Sequence, residues 1–333
     1  NGDYVAFLDS DDIWDPFFLE CMMQSIEKNP DTAVFYCGVR YIDKEKHALP
    51  QYGGLEVSSG ENLLKHLLRA NFIIPSATVI KRRVLLDSDC FDVNFRRLQD
   101  HELWIRLLRS GYIFTALKDQ YLVRYRVHGS NLSTDPVGGQ QAAKAIITKH
   151  FGVDDQQYDQ WSEEKRIAFS GFYRYQLLTN IQRCNDWQGV DVLCNALKAD
   201  PALVTDLDFF YELALGSQPV GYRGTDCQLT LAQNAQHIEA LLAELFLLAD
   251  EPEILSKRDI IYGCAYKAIG LVAYNTGQFT LCRKHLWKAM RHQPGLWREG
   301  WIIDRLIKSL LGKRVREIWR YVRSHLSEKL GIT

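Results

Sequence analysis

The spacing of hydrophobic positions changes near residue 137. Before that point short apolar runs alternate with amphipathic stretches; after it nearly every segment repeats at helical spacing. Tyr4-Val5-Ala6-Phe7-Leu8 reads as a buried strand, and residues 16–28 as an amphipathic helix with Pro16 in its first turn. Asn29-Pro30-Asp31 stops that helix, and residues 32–39 read as the next buried strand. A helix returning the chain between two such strands predicts a parallel βαβ arrangement. Residues 43–60 are polar and glycine-bearing, which predicts a loop; residues 61–70 predict a helix, 73–80 an apolar strand, and Lys81-Arg82-Arg83 the start of a short helix. Leu103, Trp104, Leu107 and Leu108 share a helical stripe along the segment that starts at Leu98. Residues 112–117 and 121–125 read as two strands, and Asp135-Pro136-Val137-Gly138-Gly139 as a boundary. The pattern predicts an α/β domain over residues 1–137, followed by an all-α region over 140–333.

The chemistry enters where the first apolar run ends. Asp9, Asp11 and Asp12 follow it within four positions. In an open α/β sheet, ligands sit beyond the carboxyl ends of the strands. Carboxylates crowded there repel one another, and a hard divalent cation shared with a phosphate relieves the repulsion. A solvated turn before the Asp15-Pro16 helix start is the plain alternative, with Asp12 capping that helix. Asp100 stands at the start of the later amphipathic helix, where the helix dipole and free N–H groups favour an ionised carboxylate; a capping role is the competing explanation.

Three segments together resemble one family. Val5-Ala6-Phe7-Leu8-Asp9-Ser10-Asp11-Asp12-Ile13-Trp14-Asp15-Pro16 is similar to the D-x-D core of inverting, family-2-type glycosyltransferases of GT-A fold, a Rossmann-like architecture. Gln99-Asp100-His101-Glu102-Leu103-Trp104-Ile105-Arg106-Leu107 matches the family's E/Q-D-x-D/E-L-W-x-R-L segment, with Gln99 where Glu is common. Tyr125-Arg126-Val127-His128-Gly129-Ser130-Asn131-Leu132-Ser133 resembles its Y-R-x-H-x-x-N-x-S segment. The resemblance implies that Asp9 and Asp11 hold Mn2+ or Mg2+ on the diphosphate of a nucleotide-sugar donor, Asp11 the more directly. It implies that Asp100 is the catalytic base, with Gln99 and Glu102 supporting it. His128 is a further candidate for the metal or diphosphate, and Arg126 a candidate cation for phosphate oxygens. The acceptor is then a glycan, a lipid-linked saccharide or a protein, most naturally in bacterial surface-glycan synthesis, and the 43–60 loop lies over its side of the cleft. No Q-x-x-R-W motif is present, which points to single additions. A phosphotransferase with an aspartate nucleophile also uses D-x-D after a strand, but it leaves residues 99–107 unexplained.

Composition narrows the setting. The 333 residues carry a formal net charge of −1, so there is no electrostatic case for a nucleic-acid partner. Eight cysteines are scattered without C-x-x-C pairs, as suits reduced thiols and a cytoplasmic protein. The longest apolar stretch, residues 241–249, is short and broken by Glu244. The chain starts at Asn1 with its metal motif almost at once, where a nucleotide-binding domain needs earlier strands for base and ribose. It therefore reads as amino-terminally incomplete, and such a fragment is expected to bind donor poorly alone.

In the second half, Ile269-Gly270, Ala273-Tyr274, Gly277-Gln278-Phe279, Leu286, Ala289 and Pro294 fall at tetratricopeptide spacing, so one such repeat is expected near 262–295. A weaker copy over 182–201 fits only with a one-residue shift. Helical tails of this kind serve a protein partner or self-association. Residues 302–326 form a basic amphipathic pattern able to lie on the inner face of an anionic membrane. The rival to an enzyme is a helical-repeat interaction module carrying a non-catalytic transferase remnant.

Overall fold

The computed structural model describes residues 2–54, 63–128 and 135–310. Two compact units are present. The first runs to Asp186 and takes in Lys198–Asp200 and Pro219–Arg223; the second comprises Trp187–Leu197, Pro201–Gln218 and the chain from Gly224.

The first unit is α/β. Its strands are β1 (Tyr4–Ala6), β2 (Ile13–Trp14), β3 (Val34–Ile42), β4 (Ala48–Gly53), β5 (Thr78–Lys81) and β6 (Phe114–Arg126). They form one mixed sheet in the order β1-β5-β3-β6-β2, with β4 paired to β3. The helices are α1 (Phe18–Lys28), α2 (Leu63–Arg69), α3 (Arg82–Asp87), α4 (Gln99–Arg109), α5 (Pro136–Phe151) and α6 (Glu163–Cys184).

The apolar run that opens β3, residues 34–39, follows from burial on both faces. Phe35, Cys37 and Val39 pack with Phe18, Met22 and Ile26 of α1. Val34 and Tyr36 point the other way, into a cluster with Leu67, Leu103, Trp104 and Leu107 from α2 and α4. Trp104 is fully buried, and its indole N–H donates to the Ile73 carbonyl at 3.1 Å.

Four expectations change in detail. β1 and β3 do run the same way across α1, but β5 lies between them and pairs antiparallel with both; the parallel neighbours are β3 and β6. The two strands expected over 112–125 are one strand with irregular register against β3, where exposed Lys118-Asp119-Gln120 loops out and Asp119 adopts a φ of 57°. The polar stretch after β3 folds as a hairpin: Asp43 N–H donates to the His47 carbonyl at 3.0 Å, and β4 returns along β3; residues 55–62 lie outside the described residues. The break at 135–139 opens α5 instead of separating the units. Pro136 occupies the first turn, and the Asp135 carboxylate accepts from Gly138 N–H at 3.2 Å. α5 and α6 belong to the first unit because α6 lies close against α2: Gly171 faces the Leu68 carbonyl with no room for a side chain.

The second unit is helical, with α7 (Val190–Ala199) largely inside it, then α8 (Leu207–Leu215), α9 (Leu231–Leu248), α10 (Pro252–Ser256), α11 (Arg258–Asn275) and α12 (Phe279–His292). α11 and α12 form a hairpin about Thr276-Gly277-Gln278, where Gly277 takes a φ of 75°. Ala273, Cys282 and Ala289 are buried along it, and a Cβ on Gly270 would lie 2.6 Å from Leu286 Cδ2. These are the small residues whose spacing suggested a repeat near 262–295. Residues 300–310 are helical, with Ile302, Leu306 and Ser309 turned inward; the rest of the basic segment lies outside the described residues. Among the described residues no helix is long and apolar enough to cross a membrane.

Candidate functional site

After β1 the chain turns through its acidic segment, with Asp12 N–H donating to the Asp9 carbonyl at 3.1 Å. Two elements fix this turn. From one side the Asp9 N–H donates to Ser76 Oγ at 3.1 Å, and the Trp14 indole N–H donates to the Ser76 carbonyl at 2.8 Å. From the other, β2 pairs with the end of β6, matching Ile13 to Arg124 and Trp14 to Val123. That pairing brings the residues after β6 over the turn. The Arg126 N–H donates to Asp12 Oδ1 at 2.9 Å, and His128 Nε2 lies 2.9 Å from Asp11 Oδ2.

Asp12 therefore does not cap α1. The residue before α1 is Phe17, without a side-chain cap, and Asp15 Oδ1 accepts the Phe17 N–H at 3.1 Å. Asp12 is 8% exposed and holds β6 in place. Arg126 likewise serves the backbone: Nε donates to the Asp11 carbonyl at 2.8 Å, and Nη1 to the carbonyls of Asp43 and Lys44 at 3.1 and 2.8 Å. It fastens the acidic turn to the β3–β4 hairpin.

Asp100 lies in the first turn of α4, which begins abruptly because Leu98 takes a left-handed φ of 54°. A bulky side chain rarely adopts that conformation, and it costs about 1–3 kcal/mol. Asp100 is half-buried; its Oδ2 accepts the Asn71 side-chain N–H at 2.9 Å. The adjacent His101 is held by the Leu67 carbonyl, 2.6 Å from Nε2.

One short segment thus touches both acidic groups. Asn71 meets Asp100, Ile73 meets Trp104 of α4, and Ser76 meets Asp9 and Trp14. The electrostatics agree. Partial burial, then the charges of Asp11 and Asp100, push the Asp9 carboxyl above its ordinary range, against the Ser76 hydroxyl. Burial pushes Asp12 up as well, against hydrogen bonds from Ser76 and Arg126. Burial raises Asp100, with Asn71 and His101 pulling it back. Asp9 lies close enough to Asp11 and to Asp100 to feel the charge of each.

Glu102 is of a different kind. Its carboxylate is fully buried and takes Arg106 Nη2 at 2.9 Å and Lys149 Nζ at 2.7 Å, with His150 Nε2 at 3.3 Å. Burial alone would raise it, but hydrogen bonds from His150, Arg106 and Lys149 hold it well below the usual carboxylate range. It locks α4 to α5, and so fixes the helix that carries Asp100. Gln99 is half-buried at the head of α4.

The acidic turn carries the oxygen ligands a hard cation takes: Asp11 pairs with His128 at 2.9 Å, and part of the rise at Asp9, behind burial, comes from the charge of Asp11, which bound positive charge would relieve. Among the described residues, the group of three whose ligand atoms all lie within 4.8 Å of one another is a different one, Asp43, Glu45 and His47 in the β3–β4 hairpin; Asp9, Asp11 and His128 are not gathered so closely. Glu45 and His47 are exposed, and His47 is already paired to Asp43 at 3.0 Å. Sequence reasoning missed Asn71 altogether; the only signal was a lone amide between a helical stretch and an apolar run.

A family model described as glycosyltransferase-like family 2 matches residues 1–178, through most of α6. An uncharacterized glycosyltransferase of Methanocaldococcus jannaschii is 27% identical over 126 residues, which make up 38% of this chain and 42% of that relative.

Proposed function

The chain belongs to glycosyltransferase-like family 2, and on that premise we propose that its first unit works as a GT-A transferase, moving a sugar from a nucleoside-diphosphate donor to an acceptor hydroxyl with inversion. The observation that supports the reading is that one segment, 71–76, holds Asp100 through Asn71 and the Asp9 backbone through Ser76, while His128 lies against Asp11, two residues on from Asp9. Asp9 and Asp11, with His128, hold a divalent cation, Mn2+ or Mg2+. When bound, that ion supplies positive charge against the departing diphosphate.

Asp100 takes the proton from the acceptor hydroxyl as that oxygen attacks the anomeric carbon from the side opposite the leaving group. A base raised by burial holds a proton more firmly than a free aspartate does. One displacement needs no enzyme nucleophile, so no Ser or Cys is assigned to the chemistry. Glu102 and Gln99 support α4, and Arg126 shapes the acidic turn instead of meeting phosphate. The acceptor is a glycan, lipid-linked or protein hydroxyl, in keeping with surface-glycan assembly. The helical second unit, tetratricopeptide-like at α11–α12, offers a surface for a protein partner or a second copy; half-exposed Trp287 and Trp297, 5.1 Å apart, favour that use.

The test is release of nucleoside diphosphate from a panel of UDP-, GDP- and dTDP-sugars with Mn2+, using the protein that carries this sequence. Asp100→Asn should lower transfer by roughly 10²–10⁴-fold while donor binding holds. Undiminished transfer in that variant would remove Asp100 from the reaction.

A further inference from the structure

Asn71 belongs to no element of the proposed chemistry, yet its side chain is spent on Asp100. Nδ2 donates to Asp100 Oδ2 at 2.9 Å, while Oδ1 is buried without a hydrogen-bond partner. The amide orientation is fixed by the carboxylate, since turning it over would set two oxygens against each other. An asparagine placed for stability would satisfy both ends, because an unpaired buried acceptor costs free energy. Here only the end facing Asp100 is satisfied. The same segment is pinned two residues on by the Trp104 indole at the Ile73 carbonyl, and five residues on by Ser76 at Asp9. Asn71 therefore cannot drift independently of the acidic turn.

We propose that Asn71 is a positioning residue for Asp100: its amide N–H holds Oδ2 and so orients the carboxylate that receives the acceptor's proton, at a spacing from Asp9 set by the 71–76 segment. This rests on the reading of Asp100 as the base, but its test does not need turnover. The charged groups that act on or feel Asp100 are Asp9 and His101, besides the backbone N–H groups at the head of α4. Neither is altered by substitution at position 71, so a change in Asp100 reports the amide itself.

The experiment follows the Asp100 carboxyl carbon by NMR through a pH titration of the whole chain labelled at aspartate carboxyls. The resonance is identified by its loss in Asp100→Asn. Asn71→Ala should raise the Asp100 midpoint by about one pH unit, roughly tenfold in ionisation. Asn71→Asp, nearly the same size but with a like charge in place of the donor, should raise it further. A backbone amide spectrum unchanged away from the site confirms folding in each variant. If either folded variant leaves the midpoint where it was, the proposal is overturned. The outcome separates from that of the transfer assay: undiminished transfer in Asp100→Asn removes the base but leaves the titration result intact, whereas an unmoved midpoint removes Asn71 and leaves the base.

Discussion

Replacing Glu102 by Gln should destabilise the first unit by about 3 kcal/mol at neutral pH. The side chain is 0% exposed and carries two cationic partners, Arg106 and Lys149, with His150 Nε2 at 3.3 Å. Stranding the partners of a buried ion pair costs about 3–5 kcal/mol. The lower end applies because Lys149 is 38% exposed and keeps Asp92 at 2.8 Å, so solvent and a second carboxylate offset part of its loss. Arg106 retains the carbonyls of Ser88 and Cys90. The pH dependence has a definite sign. Glu102 is held below its unfolded value of about 4.3, so its contribution is full above roughly pH 5 and is lost as pH falls toward the folded value. The deficit of the variant should therefore shrink in acid. Urea unfolding, followed through hydrogen exchange in α4 and α5, isolates the first unit from the second. Adding Lys149→Met to Glu102→Gln should recover part of the loss by removing one stranded charge. A deficit below about 1 kcal/mol, or one that grows as pH falls, would refute the claim that this network holds α4 in place.

Millimolar Mn2+ should raise the unfolding temperature of the wild-type chain. A site filled at 100 times its dissociation constant adds about 2.7 kcal/mol. Asp11→Asn should abolish the shift and His47→Ala should keep it; the opposite pattern would put the ion in the hairpin. Arg126→Lys loses the fork that spans three carbonyls and should cost about 1.5–3 kcal/mol, with an unchanged urea midpoint counting against the clamp. Gly171→Ala drives a methyl onto the Leu68 carbonyl oxygen and to 2.9 Å from Arg69 Cα. Backbone cannot yield as a side chain does, so calorimetry should show a loss of about 1–3 kcal/mol or more.

Much of the first unit was legible because its signals are local. The apolar run of β3, the amphipathic α1, which starts two residues after Pro16, and the stripe of α4 each declare themselves within a dozen residues. The acidic turn and Asp100 were found as motifs. What stayed hidden was pairing at a distance. No spacing rule could insert β5 between β1 and β3, since that depends on a partner some seventy positions away. The roles of Asp12 and Arg126 were misread for the same reason: each looks like a local cap or a spare cation until β6 comes alongside β2. Glu102 resembled a second site acid in sequence; Arg106 is a near neighbour on α4, but Lys149 and His150 come from α5, beyond the apparent boundary. The Asp-Pro-Val-Gly-Gly stretch carries every mark of a linker and yet starts a helix of the same unit.

The irregular stretch of β6 has a consequence for how this region can vary in length. Between the Tyr36–Ala116 and Val39–Val123 pairs, β3 advances three residues while β6 advances seven. The surplus of four is even, so side chains beyond it regain the up-down order they had before. Taking out one residue there, such as Asp119, would leave an odd surplus and turn the last strand residues over. The arginine and histidine that reach the acidic turn would then start from the wrong face. Loss or gain of two residues in that loop should be silent, and loss or gain of one should not: parity, rather than length, is what the strand must preserve.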